Sequence, residues 1–166
     1  MLVGHTEGQF KDELAELHDG SISLFVTLPV FRQLVQSREL GRMLARCESV
    51  IGEHLAHLDG ILAGLLSRAE RHDGNLTSSL FKALVRVRVM PASEVRDGEI
   101  VEIIEQAQLF LTGSCSFALR FARQAELYRA SHVLEASLRR LGTLAAEFAP
   151  ARPADNAEHR YSSAVA

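Results

Sequence analysis

The hydrophobic residues of this chain recur at alternating spacings of four and three, the spacing of helices that pack against other helices. One such stripe continues for eight positions and is polar at only one of them. Its members are Leu40, Leu44, Cys47, Ile51, His54, Leu58, Ile61 and Leu65. The stripe predicts a helix over residues 38–70 whose interior face carries one histidine, His54.

A second stripe of the same kind lies nearer the start of the chain and predicts a helix over residues 7–36. Its members are Phe10, Leu14, Leu17, Ser21, Leu24, Leu28, Phe31 and Val35. Thr6 and Gln9 form a capping-box pattern at the predicted start. Pro29 is expected to kink this helix and not to end it, because the stripe continues in phase beyond the proline.

The first two helices are expected to form an antiparallel hairpin, because only a short polar break containing Ser37 separates them. A short helix is then predicted over residues 77–90 and ends before Pro91. The alternating β-branched run at 84–89 leaves a strand as the alternative. An isolated strand would have no partner in this chain, which favours the helix.

Two further long helices are predicted over residues 94–123 and 126–148. Together the elements indicate an all-α protein, an antiparallel four-helix bundle with a short extra helix in one long crossover connection. The bundle domain is expected to span residues 1–148. The hydrophobic pattern then disappears, so residues 149–166 are expected to form a flexible tail.

Composition narrows the range of functions. The chain has 166 residues and a formal net charge of -3, which gives no reason to expect binding to nucleic acid or acidic lipid. No secretory signal or membrane-spanning run is present in the sequence, so a cytoplasmic protein is expected. The two cysteines, Cys47 and Cys115, lie in helical stripes and are expected to be buried free thiols.

The helix over residues 94–123 has apolar residues on two sides. The second side includes Phe110, Phe117 and Phe121. Burying this arc within a single bundle is difficult, and an exposed apolar patch of this size marks an interface. The three aromatic residues are therefore the predicted contact surface of a homodimer.

Several short motifs occur in an order and spacing found in a known family. The segments are Asp12-Glu13-Leu14, Leu17-His18-Asp19, Leu28-Pro29, Ser37-Arg38-Glu39-Leu40 and Val95-Arg96-Asp97. In these features the chain resembles the YciE/YciF-type ferritin-like bacterial proteins. The resemblance implies a ferritin-like bundle, often linked to stress responses. It also implies a core site in which carboxylates and histidines from all four long helices bind two metal ions.

The residues at the positions implied by this resemblance are not metal-binding carboxylates. Those positions fall on Ser21, Val50, His54, Gln108, Leu111 and Leu141. Two divalent cations in a dry core require about four negative ligands. The six residues are therefore interpreted as a degenerate metal-site layer, with no bound metal and no cofactor.

His54 is interpreted as a neutral core histidine that is hydrogen-bonded across the bundle to Gln108 or Ser21. The alternative is a small-molecule pocket in the space left by the lost metals. His18 is expected to be a partly exposed packing residue, and His57 a solvated one.

The sequence favours a non-catalytic ferritin-like bundle that acts as a structural or interaction module, with a role in stress. The first alternative is a metal-binding oxidase or iron-handling protein. The second is a bundle that binds an apolar small molecule between its helices.

Overall fold

The computed structural model describes residues 2–65 and 74–149, with side chains from residue 6 onward. Five helices make up this part of the chain, and no strand occurs in it. They are α1 (Leu2–Leu34), α2 (Arg38–Gly64), α3 (Asn75–Val89), α4 (Glu94–Gln124) and α5 (Tyr128–Phe148). The predicted all-α architecture is confirmed. Nearly all of the proposed tail, and positions 66–70 of the second predicted helix, lie outside the described residues.

The start of α1 differs from the prediction. The helix begins at Leu2, so Thr6 lies within it and does not cap it. A capping pattern marks the start of a helix only if the residues before it are not helical. Residues 2–5 include no proline that would prevent them from being helical, so the helix extends back to Leu2. At its other end α1 continues through Pro29 to Leu34, as the stripe predicted.

Neighbouring long helices of the bundle run antiparallel. Ser37 caps α2 by accepting a hydrogen bond from the Leu40 N–H, which closes the predicted hairpin with α1. Ion pairs of Arg46 with Glu147 and of Arg140 with Glu53 set α2 against α5 in opposite directions. The same hairpin arrangement joins α4 to α5 through a turn in which Glu126 has a φ of 56°.

The crossover brings the start of α4 beside the start of α2. The Asp97 carboxylate accepts hydrogen bonds from the backbone N–H groups of Gln36 and Ser37, at 3.1 and 2.9 Å. Arg96 donates to the carbonyl oxygens of Leu34 and Met90, at the ends of α1 and α3. These two residues join four helix ends, and their contacts confirm the predicted one-crossover topology.

The predicted short helix forms, and the strand alternative is wrong. In α3, Leu76, Leu80 and Val87 are buried, whereas Val85 and Val89 are 51% and 81% exposed. Spacings of four and seven place the buried residues on one side of a helix. That side packs against α1 and α4, which a lone strand could not do with its backbone satisfied.

The predicted α2 stripe is buried from Leu40 to Ile61, including His54. Among the α2 glycines, Gly52 lies closest to a neighbouring helix: a Cβ atom built there would be 3.1 Å from the Phe25 ring of α1. At Gly60 and Gly64 a Cβ atom would meet no described residue within 4 Å. The close contact between α1 and α2 therefore depends on Gly52, while Gly60 and Gly64 make no close contact with another described helix.

Candidate functional site

The six positions of the degenerate metal-site layer are distributed over all four long helices. Ser21 on α1, His54 on α2 and Gln108 on α4 are almost completely buried, with exposures of 0%, 3% and 1%. Leu111 and Leu141 are also buried, and Val50 is half-buried. Three of the six positions thus carry polar side chains in the interior of the bundle.

These polar side chains do not bond to one another as predicted. The Ser21 hydroxyl donates to the Leu17 carbonyl in its own helix, at 2.7 Å. The Gln108 amide donates to the Cys47 sulfur, at 3.9 Å. Neither ring nitrogen of His54 has a hydrogen-bond partner among the described residues. The predicted bond from His54 to Gln108 or Ser21 is therefore wrong. Ser21 bonds within its own helix and the Gln108 amide nitrogen bonds to Cys47, while the Gln108 side-chain oxygen also has no partner among the described residues.

The environment of His54 favours the neutral imidazole. Burial above all, and then the nearby His57 and His18, lower its pKa from 6.5 to about 4. A buried cation without a counter-ion is costly, so the ring remains uncharged at neutral pH. His54 can offer a lone pair, but it contributes no negative charge to a metal site.

His18 and His57 lie close enough to His54 to influence its titration, which the sequence did not reveal. The His18 Nε2 atom is 2.8 Å from a carboxylate oxygen of Asp59, so this pair joins α1 to α2. His57 is partly buried, and its Nδ1 atom has no partner among the described residues. In the antiparallel hairpin of α1 and α2, the contact of Phe25 with Gly52 places His18 opposite Asp59, about two turns away. The alignment of the two helices could therefore have indicated the His18–Asp59 pair.

The donor set does not fit a dimetal centre. Burial raises the pKa values of Cys47 and Cys115 to about 12, so both thiols remain protonated. The buried Asp97 carboxylate is held by the N–H groups before α2. Within residues 2–65 and 74–149, no group of three His, Cys, Asp or Glu side chains is placed to hold a metal ion.

Two clefts follow the seam between α2 and α5. The first, about 500 Å³, is polar and is bordered by the Arg46–Glu147 and Arg140–Glu53 ion pairs. The second, about 460 Å³, lies beside the last turns of α2 and is mostly apolar. Its lining includes His57, Gly60, Ile61, Leu127, Tyr128 and Val133. The sequence did not predict either cleft, because helical stripes do not report how far apart two helices lie.

The aromatic residues of the predicted dimer surface are partly covered within the chain. Phe110 is half-buried, and its ring packs within 3.2 Å of the Cβ position of Gly20. Phe121 is also half-buried, whereas Phe117 is 48% exposed. The Arg120 guanidinium lies over both the Phe117 and Phe121 rings, 5.1 and 5.0 Å from their centroids. This cation–π stacking shields part of the arc.

Comparison with solved structures gives strong matches to the whole bundle. The E. coli stress protein YciF superimposes with a TM-score of 0.78 over 88% of this chain and 93% of its own, at 12% identity. This chain has the fold of YciF. YcfI of Rhodopseudomonas palustris, named as a candidate structural protein, matches with a TM-score of 0.79 over 86% of this chain and 92% of its own, also at 12% identity.

The likeness to YciF confirms the helical-bundle fold that the sequence motifs implied. At 12% identity it establishes the fold alone. No protein-family model matches the sequence, and no curated protein matches it. Among the described helices, none is long and apolar enough to cross a membrane.

Proposed function

We propose that this protein is a non-catalytic ferritin-like bundle that acts as a structural or interaction module. The observation that carries the proposal is the chemistry of the buried polar layer. Ser21, His54 and Gln108 occupy it as neutral groups, and two of the three are bonded to other parts of the bundle. The names of YciF, a stress protein, and YcfI, a candidate structural protein, are compatible with this role and support a link to stress.

Charge balance is the physical basis of the proposal. Two divalent cations in a dry core must be neutralised by ligands of opposite charge. A serine, a neutral imidazole and an amide supply no negative charge. The free and buried Cys47 and Cys115 suit a reducing compartment, so we also propose a cytoplasmic location.

Elemental analysis of the purified protein separates this function from its main competitor, a metal-binding oxidase or iron-handling protein. The protein should be produced with iron, manganese and zinc in the medium. We expect only trace metal, at the same level in the wild type and in a His54→Leu variant. A reproducible content of about two iron or manganese ions per chain would show that the buried layer is a working dimetal site.

The apolar cleft favours a second candidate function, the binding of a small apolar molecule. Its volume of about 460 Å³ and the side chains of Ile61, Leu127 and Val133 are typical of ligand pockets. Decanol should then raise the melting temperature of the wild type by mass action, and a Gly60→Phe variant that fills the cleft should lose this response. Equal responses in both proteins would reject the cleft as the site.

A further inference from the structure

The apolar cleft between α2 and α5 has a definite length. Its lining on α2 extends from Ala56 to Leu65, which is about 13 Å along the helix axis. A zigzag of carbon–carbon bonds of about 1.5 Å advances about 1.25 Å per carbon, so about ten carbons span this distance. The length of the cleft therefore suits an extended alkyl chain of medium length.

The middle of the cleft offers apolar surface to such a chain. Its walls include Ile61 of α2 and Leu127 and Val133 at the start of α5. Gly60 and Gly64 also line it, and a Cβ atom at either position would meet no described residue within 4 Å. Since alanine is the better helix former, neither close packing nor helix propensity accounts for these two glycines. Their lack of side chains does widen the cleft at its α2 wall.

The alignment of α2 with α5 identifies the residues at the two ends of the cleft. The Glu53–Arg140 ion pair fixes how the two antiparallel helices lie beside each other. Continuing that alignment along both helices brings Gly64 to the level of Arg129. His57 lies about two turns nearer to the Glu53–Arg140 pair, at the other end of the cleft. Arg129 therefore marks the end of the cleft next to the turn between α4 and α5.

The Arg129 end of the cleft is positively charged. No aspartate or glutamate is among the described residues that line the cleft, and Arg129 is their only permanently charged member. Its guanidinium forms no ion pair with any other described residue, whereas Arg140 on the same helix pairs with Glu53. A guanidinium can donate two hydrogen bonds to one carboxylate. Arg129 is thus available to an anionic group at this end of the cleft.

The first turn of α5 adds partial positive charge at the same end. Leu127 precedes the helix and supplies no side-chain cap. Its carbonyl accepts from the Ser131 N–H at 2.9 Å, but no described residue accepts from the N–H groups of Arg129 and Ala130. Both of these residues line the cleft. Unpaired N–H groups at the start of a helix stabilise negative charge, so they supplement the full charge of the Arg129 guanidinium.

We propose that the apolar cleft binds a free medium-chain fatty acid, with the carboxylate at Arg129 and the alkyl chain extending toward His57. The charge at one end and the apolar walls along the rest complement the two parts of such a molecule. The chain would lie along Ile61, Leu127 and Val133, which a short polar acid could not use. This inference rests on the second candidate function and names the head group and the length of its ligand.

The test compares two ligands that differ only in their head group, decanoate and decanol. Calorimetric titration at about pH 8 keeps the carboxylate ionised. The wild type should bind decanoate about fivefold more tightly than decanol, a modest difference because Arg129 is exposed to solvent. Arg129→Gln should remove this preference and leave the affinity for decanol unchanged. Arg139→Gln removes an exposed arginine of the same helix that lines the polar cleft, so it should retain the preference.

A series of ligands tests the predicted length. Octanoate, decanoate and dodecanoate carry the same head group, so only the alkyl chain changes. Affinity should rise by roughly fourfold for each methylene group that the cleft buries completely. The gain from octanoate to decanoate should therefore exceed the gain from decanoate to dodecanoate, because the longer chain extends past Ala56. Equal gains in both steps would contradict a ligand bounded by the ends of this cleft.

The remaining outcomes separate this inference from the functions on which it rests. Equal affinities of the wild type for decanoate and decanol, or a preference that survives Arg129→Gln, would overturn the carboxylate site and leave the apolar cleft as a binding site. Binding of neither ligand, or decanoate binding that is unchanged in Gly60→Phe, would overturn both the inference and the second candidate function. The metal content of the purified protein tests the structural role independently.

Discussion

His54 is the residue at which the polar layer departs most from an ordinary core. It occupies a stripe position at which leucine would pack, and it is 3% exposed with two ring nitrogens that have no partner among the described residues. An unsatisfied buried polar group costs about 1–3 kcal/mol. The bundle tolerates this cost because the ring remains neutral, which the surrounding apolar side chains and the two nearby histidines enforce.

The titration of His54 predicts that the protein loses stability in mild acid. Its pKa is about 4 in the folded chain and 6.5 in the unfolded chain, so the unfolded state binds more protons between these values. The contribution of neutral His54 to the free energy of unfolding is therefore fully present above pH 6.5. It falls as the pH decreases toward 4, by about 3 kcal/mol in total. Urea unfolding at pH 7 and at pH 4.5 measures the loss.

A variant isolates the contribution of His54 from that of other titrating groups. His54→Leu should reduce the dependence of the free energy of unfolding on pH. It should also raise the stability at pH 7, since leucine suits the stripe and leaves no buried nitrogen without a hydrogen bond. The exposed His132→Gln serves as the control and should retain the slope of the wild type. An unchanged slope in His54→Leu would mean that another group causes the acid sensitivity.

At the scale of elements, the fit between helices depends on a few small residues. Gly20 lies against Leu76, Phe110 and Leu111, and Gly52 against Phe25, all at 3.1–3.3 Å from a Cβ position. These contacts set the spacing of α1 from its neighbours. Gly60 has no such neighbour within 4 Å, so its position beside the apolar cleft has no packing explanation within the described chain.

Alanine substitutions at two α2 glycines should therefore have different effects. Gly60→Ala should stabilise the protein by about 1 kcal/mol, because alanine favours the helix and its methyl group meets no described residue within 4 Å. Gly52→Ala has the same helical preference, but its methyl group would meet the Phe25 ring at 3.1 Å. Gly52→Ala should therefore gain clearly less stability than Gly60→Ala, or lose stability. Equal midpoints of urea unfolding for the two variants would contradict this interpretation of the α1–α2 contact.

At the scale of the whole molecule, Arg96 and Asp97 form a polar clamp that joins the α1–α2 and α4–α5 hairpins at one end. The two hairpins are less closely joined along the α2–α5 side. Arg96 and Asp97 bond the ends of α1 and α3 and the backbone before α2. Along the α2–α5 seam, surface ion pairs border the polar cleft, and such pairs contribute little stability. The relative placement of the two hairpins thus depends strongly on the clamp and the shared apolar core.

Removing the Asp97 carboxylate should have a large effect for a residue near a helix end. Asp97→Ala leaves the Gln36 and Ser37 N–H groups without their acceptor and should cost about 2–4 kcal/mol in urea unfolding. Glu94→Ala removes an exposed carboxylate from the same helical turn and should cost about 0.5 kcal/mol. Similar losses for the two variants would indicate that Asp97 acts only through the helix dipole.

The sequence by itself determined the helices, the Ser37 cap, the hairpin and the bundle, because heptad spacing and capping chemistry are local. It also predicted that Ser21 and His54 would be buried, since each occupies a stripe position, and the family resemblance placed Gln108 in the same layer. Only the tertiary structure decided their partners, because hydrogen bonds between helices depend on a register that a stripe does not specify. It likewise decided which apolar surface remains exposed: α3 lies beside α1 and α4, so Phe110 is partly covered while Phe81, Val85 and Val89 face outward.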